Sequence, residues 1–473
     1  MDGLECSEVM ISQVRQYAPF RIDSHFYEKQ YEKLKLTLSH FRSASLKELV
    51  KKPIQTGHTP SMAVSSYYGG SIALIKTDNL HDNSISTVFS DYLTVEGNAV
   101  ISRTELAEKD IITTIIGATE HVIARSAIVT LEYLPSNINQ NIVQIRINCE
   151  KIAPEFVNIY LNTKYGKGYL VFLSRQTEQY NLNCREIEMV PIPLLSDNFQ
   201  KEIVRVVLDA QKYQNNSRVQ YKNAESILSE LIDIHTSLQN QPNFSVKKIS
   251  KSFVQTGRLD AEYYQSKYEA IVKKLNTRET VLSLCNLHDK NYNPDAKQTY
   301  QYIELADVGQ SGDISDVDIQ HGSDLPTRAR RIVKSGQVIV PSVEGSLQSC
   351  ALITDEYDGV LCSTGFYVLD SDCINSETLL VLFKSEPIQA LMKQRCSGTI
   401  LTAISKDELF SMPLPMIDDD IQEEIAAKVQ ESFALRKQSK QLLEYAKQAV
   451  EMAIEQGEDV ALAWLKDKIP VEV

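Results

Sequence analysis

Arg21-Ile22-Asp23-Ser24-His25-Phe26-Tyr27 returns later in the chain as Arg258-Leu259-Asp260-Ala261-Glu262-Tyr263-Tyr264, and Tyr31-Glu32 returns as Tyr268-Glu269, at a constant offset of 237 residues (258 − 21). Further out, Pro191, Pro193, Gln200, Glu202, Ile203 and Val207 return as Pro413, Pro415, Gln422, Glu424, Ile425 and Val429, at an offset of 222 (413 − 191). The chain therefore reads as two copies of a unit of roughly two hundred residues, the second 15 residues shorter between its landmarks (237 − 222). Two similar halves imply a target with two similar halves, and unequal middles imply that the two targets differ.

Each copy has the same order of parts. A short helix comes first: Asp23 or Ser24 is placed to cap 25–37 and Asp260 to cap 261–274, with Tyr27 and Tyr31, or Tyr264 and Tyr268, four apart on one face. A mixed region follows, with apolar runs such as Asp110 to Ile116 and Gln337 to Val343 broken by Gly, Asn, Ser and Pro, which reads as strands and loops with some helix. After Pro-x-Pro the texture changes. From about Asp197 to Leu238 and from about Asp418 to Gly457 there is no Pro and, before Gly457, no Gly, while apolar residues recur at helical spacing. Each stretch predicts a helix of about 40 residues, on the order of 60 Å long. An apolar seam of that length needs a partner helix, and the other copy supplies one. The expected fold is α+β: two mixed α/β target-recognition domains separated by two long antiparallel helices, related by a pseudo-two-fold internal repeat, a dumbbell with a helical bar. Its expected bounds are 1–196 and 244–416 for the domains, 197–243 and 417–460 for the helices, and 461–473 for a C-terminal tail.

Composition narrows the function. With 473 residues, 43% hydrophobic and 23% charged, the chain is an ordinary globular protein of two or three domains. No apolar run approaches the roughly 20 residues of a spanning helix, and Met1-Asp2-Gly3-Leu4-Glu5 lacks the order of a signal peptide, so no membrane role is expected. The eight cysteines contain no C-x-x-C pair, which suggests neither a zinc site nor a disulfide framework and fits a cytoplasmic setting. The net charge of −13 argues against tight nucleic-acid binding by the chain alone. Residues 416–460 hold 11 acidic against 5 basic residues, which leaves room elsewhere for basic surface such as Arg328, Arg330, Arg331 and Lys334. That acidic helical face reads either as solvated surface or as a dock for a basic subunit.

Catalytic signatures are missing. An adenine methyltransferase needs Asn- or Asp-Pro-Pro-aromatic, and the chain has no Pro-Pro pair; its nearest string, Asn293-Pro294-Asp295, lacks the aromatic. There is no F-x-G-x-G loop, Walker lysine or H-E-x-x-H, and the turns at Gly57 and Gly69 are not phosphate loops. The chain is expected not to be an enzyme.

The first mixed region carries Gly57-His58-Thr59-Pro60 and Tyr67-Tyr68-Gly69-Gly70. The second carries Tyr302 to Val308, then Ala329-Arg330-Arg331-Ile332-Val333-Lys334-Ser335-Gly336, and later Ser397-Gly398-Thr399. With the Pro-x-Pro and Gln landmarks, in this order and duplicated around two helices from about residue 7 to 457, the chain resembles the specificity subunit of type I restriction-modification systems. The resemblance implies a scaffold that reads a bipartite site in double-stranded DNA, one half per domain. It also implies two adenine methyltransferase subunits docked on the helical bar, with restriction and translocation subunits in the full complex. No cofactor is then bound by this chain; S-adenosylmethionine and the flipped base belong to the methyltransferase partners. The copies diverge in places: Lys109-Asp110-Ile111-Ile112-Thr113-Thr114 stands where the second copy has Ser335-Gly336-Gln337-Val338-Ile339-Val340, and Arg175-Gln176-Thr177 stands at the place of Ser397-Gly398-Thr399.

Candidate DNA contacts are the polar segments that mix residue types able to read base edges and phosphates: Lys164 and Lys167; Arg175, Gln176 and Gln179; Arg328, Arg330 and Arg331; Ser346 and Gln348; and Gln394, Arg395, Ser397 and Thr399. Against each stands the plainer reading of a solvated loop. The repeated Arg-x-Asp with its tyrosines is read as helix capping and packing. Two other readings of the whole remain open: a specificity chain of another restriction class, and a two-headed protein-interaction scaffold without DNA specificity.

Overall fold

The structure is a computed structural model that describes residues 8–15, 21, 25–86, 89–176, 178–232, 245–309, 311–314, 317, 319–398 and 402–469. The chain forms two compact units, one of residues 1–213 with 437–473 and the other of residues 214–436. The divide falls inside both long helices, Asp197–Ile232 and Asp419–Gln456.

In the first unit a four-stranded antiparallel sheet runs in the order Gln55–Thr56, Ile142–Ile145, Ile111–Thr114, Ser126–Ile128. The central strand Ile111–Thr114 is buried along its whole length, as a strand covered on both faces must be. Its two threonines are satisfied inside, Thr113 with the Ser126 hydroxyl at 2.8 Å and Thr114 donating to the Val122 carbonyl at 2.7 Å. A second sheet, Ser136–Ile138, Tyr68–Ile75, Tyr92–Leu93, contains one parallel pair, the first two strands. Helices Pro154–Leu161 and Lys164–Leu173 close the core, with every residue of the first buried.

The second unit is built in the same order. Its antiparallel sheet is Asn286–Leu287, Phe366–Asp370, Val338–Pro341, Ala351–Leu352. Its other sheet, Ile319–His321, Thr299–Ile303, Leu361–Ser363, Ala329–Ile332, again contains one parallel pair, the middle two. Helices Ser376–Lys384 and Glu386–Arg395 close this core. The central strands correspond one residue away from the sequence pairing. Lys109 donates its N–H to the Val129 carbonyl at 2.8 Å and Gly336 to the Ile353 carbonyl at 2.9 Å. Both hold positive φ, 67° and 84°, and the side chains of Asp110 and Gln337 accept from the N–H of Ala107 and Lys334, both at 2.8 Å. Gly336, not Ser335, thus stands where Lys109 stands.

The landmark motifs hold the frame. Pro191–Pro193 is a strand paired with Ser43–Ser45, and Leu46 N–H reaches the Val190 carbonyl at 2.9 Å, just as Val281 N–H reaches Met412 at 2.9 Å. Gln200 donates to the Leu195 carbonyl at 2.8 Å and Gln422 to Ile417 at 2.9 Å, so each glutamine folds back five residues to fasten the start of a long helix. Tyr27 donates to the Arg21 carbonyl at 2.7 Å and Tyr264 to the Arg258 carbonyl at 3.0 Å, while each arginine lies over a ring, Phe26 at 4.2 Å and Tyr263 at 4.4 Å.

These turns shorten the expected opening helices. The first begins at Lys29, after a 3-10 turn, and the second at Ser266; Asp260 bonds to the Arg258 guanidinium and to the Tyr263 N–H in the turn that precedes it. Asp23 and Ser24 lie outside the described residues.

The long helices span 36 and 38 residues, about 54 and 57 Å at ~1.5 Å per residue. In the first unit Phe199, Ile203 and Val207 share a core with Ala446, Val450 and Ile454. In the second unit Tyr221, Ala224 and Leu228 share one with Ile425 and Val429. Early residues of one helix meet late residues of the other, so within each unit the two segments run antiparallel. The contacts are close where serines are buried: Ser439 donates to the Ala210 carbonyl at 2.7 Å in the first unit, and Ser217 and Ser432 hydroxyls meet at 3.0 Å in the second. The expected tail is instead structured. Gly457, at φ 100°, ends the second helix, and Glu458–Lys468 forms a further helix whose Ala461 and Leu465 are buried in the first unit's core.

Candidate nucleic-acid interface

Two short hairpins occupy matching places. In the first unit Arg175–Gln176 pairs with Tyr180–Asn181, which pairs on with Ile116–Gly117. In the second, Cys396–Ser397 pairs with Ala403–Ile404, and Ala403 bridges to Val343. Both follow directly on a helix whose end is fastened by the opening segment. Arg21, buried, donates to the carbonyls of Leu173 at 2.6 Å and Ser174 at 2.8 Å. In the second unit Gln394 donates to the Tyr263 carbonyl at 2.8 Å. The repeated Arg-x-Asp and tyrosine motif therefore anchors the base of each hairpin, in keeping with the packing reading.

At the first hairpin Gln176 and Gln179 are exposed, and Arg175 is held by Glu186 at 3.1 Å. Tyr180 packs edge-on to His25 at 6.1 Å; burial first, then the charges of Glu120 and Glu28, raises its phenol above the ordinary range. At the second hairpin Ser397 is exposed and Thr399 lies outside the described residues. Ser346 belongs to the turn Glu344–Ser346, which borders this hairpin through the Glu344 N–H on the Thr402 carbonyl at 3.0 Å. Gln348 is exposed nearby, its carbonyl accepting from Lys384. Arg395 is turned inward: it donates to Leu391 at 3.3 Å and to the Gln394 side chain at 3.0 Å, and burial pulls its guanidinium below the ordinary range against the opposing charges of Tyr263 and Glu408.

The arginine strand of the second unit is a separate place. Arg328 is exposed and Arg330, two residues on, is pinned: its guanidinium donates to the Thr327 carbonyl at 2.9 Å and to Asn293 Oδ1 at 2.5 Å. The Arg330 carbonyl accepts from Tyr292 N–H at 2.6 Å, so this residue ties the loop around Asn293-Pro294-Asp295 to the sheet. Tyr300 accepts from the Asp295 N–H at 2.9 Å. Arg331 points the other way and donates to the Phe366 carbonyl. Sequence alone does not mark this loop, because Asn293-Pro294-Asp295 stands out there only as an incomplete methyltransferase motif.

Lys164 and Lys167 are not in a loop. They sit in the first turn of helix Lys164–Leu173, which Thr163 caps by accepting from Gly166 N–H. Gly166 is required there, since a Cβ would come within 2.2 Å of the Tyr160 carbonyl oxygen. Lys167 pairs with Asp82 at 2.6 Å, while Lys164 pairs with Glu455 and its N–H bonds to Glu451 at 2.8 Å. Glu458 in turn accepts from the Ser196 N–H at 3.0 Å. Some of the acidic residues from 451 to 458, while still open to solvent, therefore bond to the first unit's own helix starts, where carboxylates are favoured by the helix dipole.

Among the described residues no group of three His, Cys, Asp or Glu side chains could hold a metal, and no helix is long and apolar enough to cross a membrane. No protein-family model matches the chain. It is similar to crystal structures of the HsdS subunit from Thermoanaerobacter tengcongensis, 15% identical over 93% of this chain and 99% of that one with a TM-score of 0.30, and of the type I system S subunit from M. genitalium, 12% identical over 92% and 97% with a TM-score of 0.32. Both scores are low, and the fold rests on the strand orders given above. The type I restriction enzyme EcoBI specificity subunit of Escherichia coli is 28% identical over 160 residues, 34% of this chain. That match spans about a third, 33%, of the Escherichia coli subunit's length. The chain is a sequence relative of the type I restriction enzyme specificity subunits.

Proposed function

We propose that this chain is the sequence-specific DNA-recognition subunit of a type I restriction-modification complex and performs no catalysis itself. Residues 1–196 and 244–416 each read one half of a bipartite double-stranded site. The long helices, related by a pseudo-two-fold, set the distance between halves and dock two adenine-N6 methyltransferase subunits, which bring S-adenosylmethionine. Restriction subunits complete the assembly, in the cytoplasm. The observation that supports this best is the pairing of a constant frame with unlike tips: the repeated arginine and tyrosine segment is bonded to the helix end under each hairpin, through Arg21 in one unit and the Tyr263 carbonyl in the other, and the hairpins carry Arg175-Gln176 and Ser397-Gly398. Phosphate contacts would set register and the tips would select bases. With a net charge of −13, the isolated chain binds DNA weakly until methyltransferase subunits add basic surface. The test is to map N6-methyladenine across the host genome with and without this chain. A bipartite motif that vanishes on deletion supports the proposal; an unchanged methylome rejects it.

A further inference from the structure

The turn ahead of each central strand leaves a different side chain over the same spot. In the first unit Lys109 reaches Glu155 at 3.0 Å, and the Glu155 side chain is only 5% exposed at the start of helix Pro154–Leu161. In the second unit the turn position is Gly336 and the helix position is Glu377, the second residue of Ser376–Lys384. Without a side chain on Gly336, a cavity of about 290 Å³ opens beside Glu377, lined on its apolar side by Leu352, Val429 and Phe433. Glu377 accepts a neutral bond from Gln430 at 2.7 Å and has no cation within ion-pair distance among the described residues. A Cβ on Gly336 would meet nothing nearer than the Ser376 hydroxyl at 3.6 Å, so the space left by the missing side chain is real.

We propose that this groove docks a lysine side chain of a partner polypeptide, its aliphatic stem along Val429 and Phe433 and its ammonium on Glu377. The occupant's chemistry is read from the other copy. The first unit fills the same place from within, with a four-carbon stem and an ammonium on the equivalent glutamate. Asp355, which also lines the groove, adds negative charge and favours a cation further. A stem that buries its methylenes while its head stays on a carboxylate is the ordinary way lysine packs. The partner itself rests on the proposed function, where it is a methyltransferase subunit; the groove does not.

Two arms test the idea. The chain and the methyltransferase subunit encoded with it are assembled and treated with a zero-length carbodiimide, which joins a carboxylate to an amine in contact. A cross-link from Glu377 to a partner lysine is expected, and its absence from an assembled complex overturns the proposal. Gly336→Lys, which fills the groove from within as Lys109 does, and Glu377→Gln are each expected to weaken assembly at least tenfold; full affinity in both overturns it. In the second arm Nα-acetyl-lysine N-methylamide is titrated into the full chain and followed by NMR, with the norleucine analogue as control. Saturable binding of the lysine probe alone, lost in Gly336→Lys, supports the groove; no binding overturns it. If the wild-type chain forms no complex at all, the proposed function fails, and the probe arm decides the groove by itself.

Discussion

Arg328 and Arg330 are two residues apart, one in the turn before the strand Ala329–Ile332 and one on it, and the structure assigns them opposite consequences. Arg330 has committed its guanidinium to Thr327 and Asn293, at 2.9 and 2.5 Å, whereas Arg328 is exposed with no hydrogen bond of its guanidinium among the described residues. Removing Arg330 leaves Asn293 without its donor and frees the loop. Two charge-assisted bonds between solvent-exposed groups amount to about 1 kcal/mol. For a unit of this size that is a fall in Tm of about 3 °C. Arg328→Ala should leave Tm unchanged, as surface substitutions do within about 0.5 kcal/mol. Under the proposed function its effect falls on DNA binding. A bidentate contact to guanine is worth about 1–3 kcal/mol, roughly 5- to 150-fold in affinity for the correct half-site. A phosphate contact would instead weaken all sequences alike and lower the salt slope by about 1. Fluorescence anisotropy of the assembled complex, on duplexes with the host's methylated motif intact or altered in one half, read at several salt concentrations beside calorimetric melting, separates these outcomes. The reasoning is refuted if Arg330→Ala weakens DNA binding with melting untouched, or if Arg328→Ala alters neither duplex.

Three further outcomes are expected. Lys109→Met deprives the buried Glu155 of its cation and should destabilise the first unit by about 1–2 kcal/mol, since half of the lysine is exposed, with most of the loss restored by adding Glu155→Gln; a double variant no better than the single contradicts this. The hydrogen bond from Lys164 chiefly holds the Glu455 carboxyl below the usual carboxylate range. A depressed folded value means stabilisation present above the unfolded value and lost as pH falls through the folded one, so wild type should lose Tm between about pH 5 and pH 3 more steeply than Glu455→Gln. Parallel slopes would rule the ion pair out as a contributor. Finally, replacing 176–179 with glycines should change the methylated sequence in one half of the bipartite motif only, as read by methylome sequencing; loss of both halves together would break the assignment of one half-site to each domain.

The frame was legible because it repeats. Pro191–Pro193, Gln200 and the Arg21 segment bond internally in ways their second copies reproduce, so offset and order in the sequence mirrored hydrogen bonds in the fold. The candidate contacts were less legible, for residue type says nothing about whether a donor is already used. Lys164, Lys167, Arg331 and Arg395 look like readers in a sequence, yet each points its charge at a partner inside its own unit. Register also escaped the sequence by one residue at Lys109 and Gly336, because a lysine at positive φ is rare and does not mark a turn as a glycine does. The helix in 458–468 was hidden by Gly457, which reads as an end but here serves as a bend.

The division of the chain inside both long helices has a consequence for how it is made. Residues 214–436 are continuous and can collapse as soon as they leave the ribosome. The first unit is completed last: its core joins Phe199 and Ile203 to Val450 and Leu465, partners separated in sequence by the entire second unit. The N-terminal half therefore keeps the seam of its long helix uncovered until the last part of the chain is synthesised. A truncation of a few dozen residues at the C-terminus would strike first at the opposite end of the sequence.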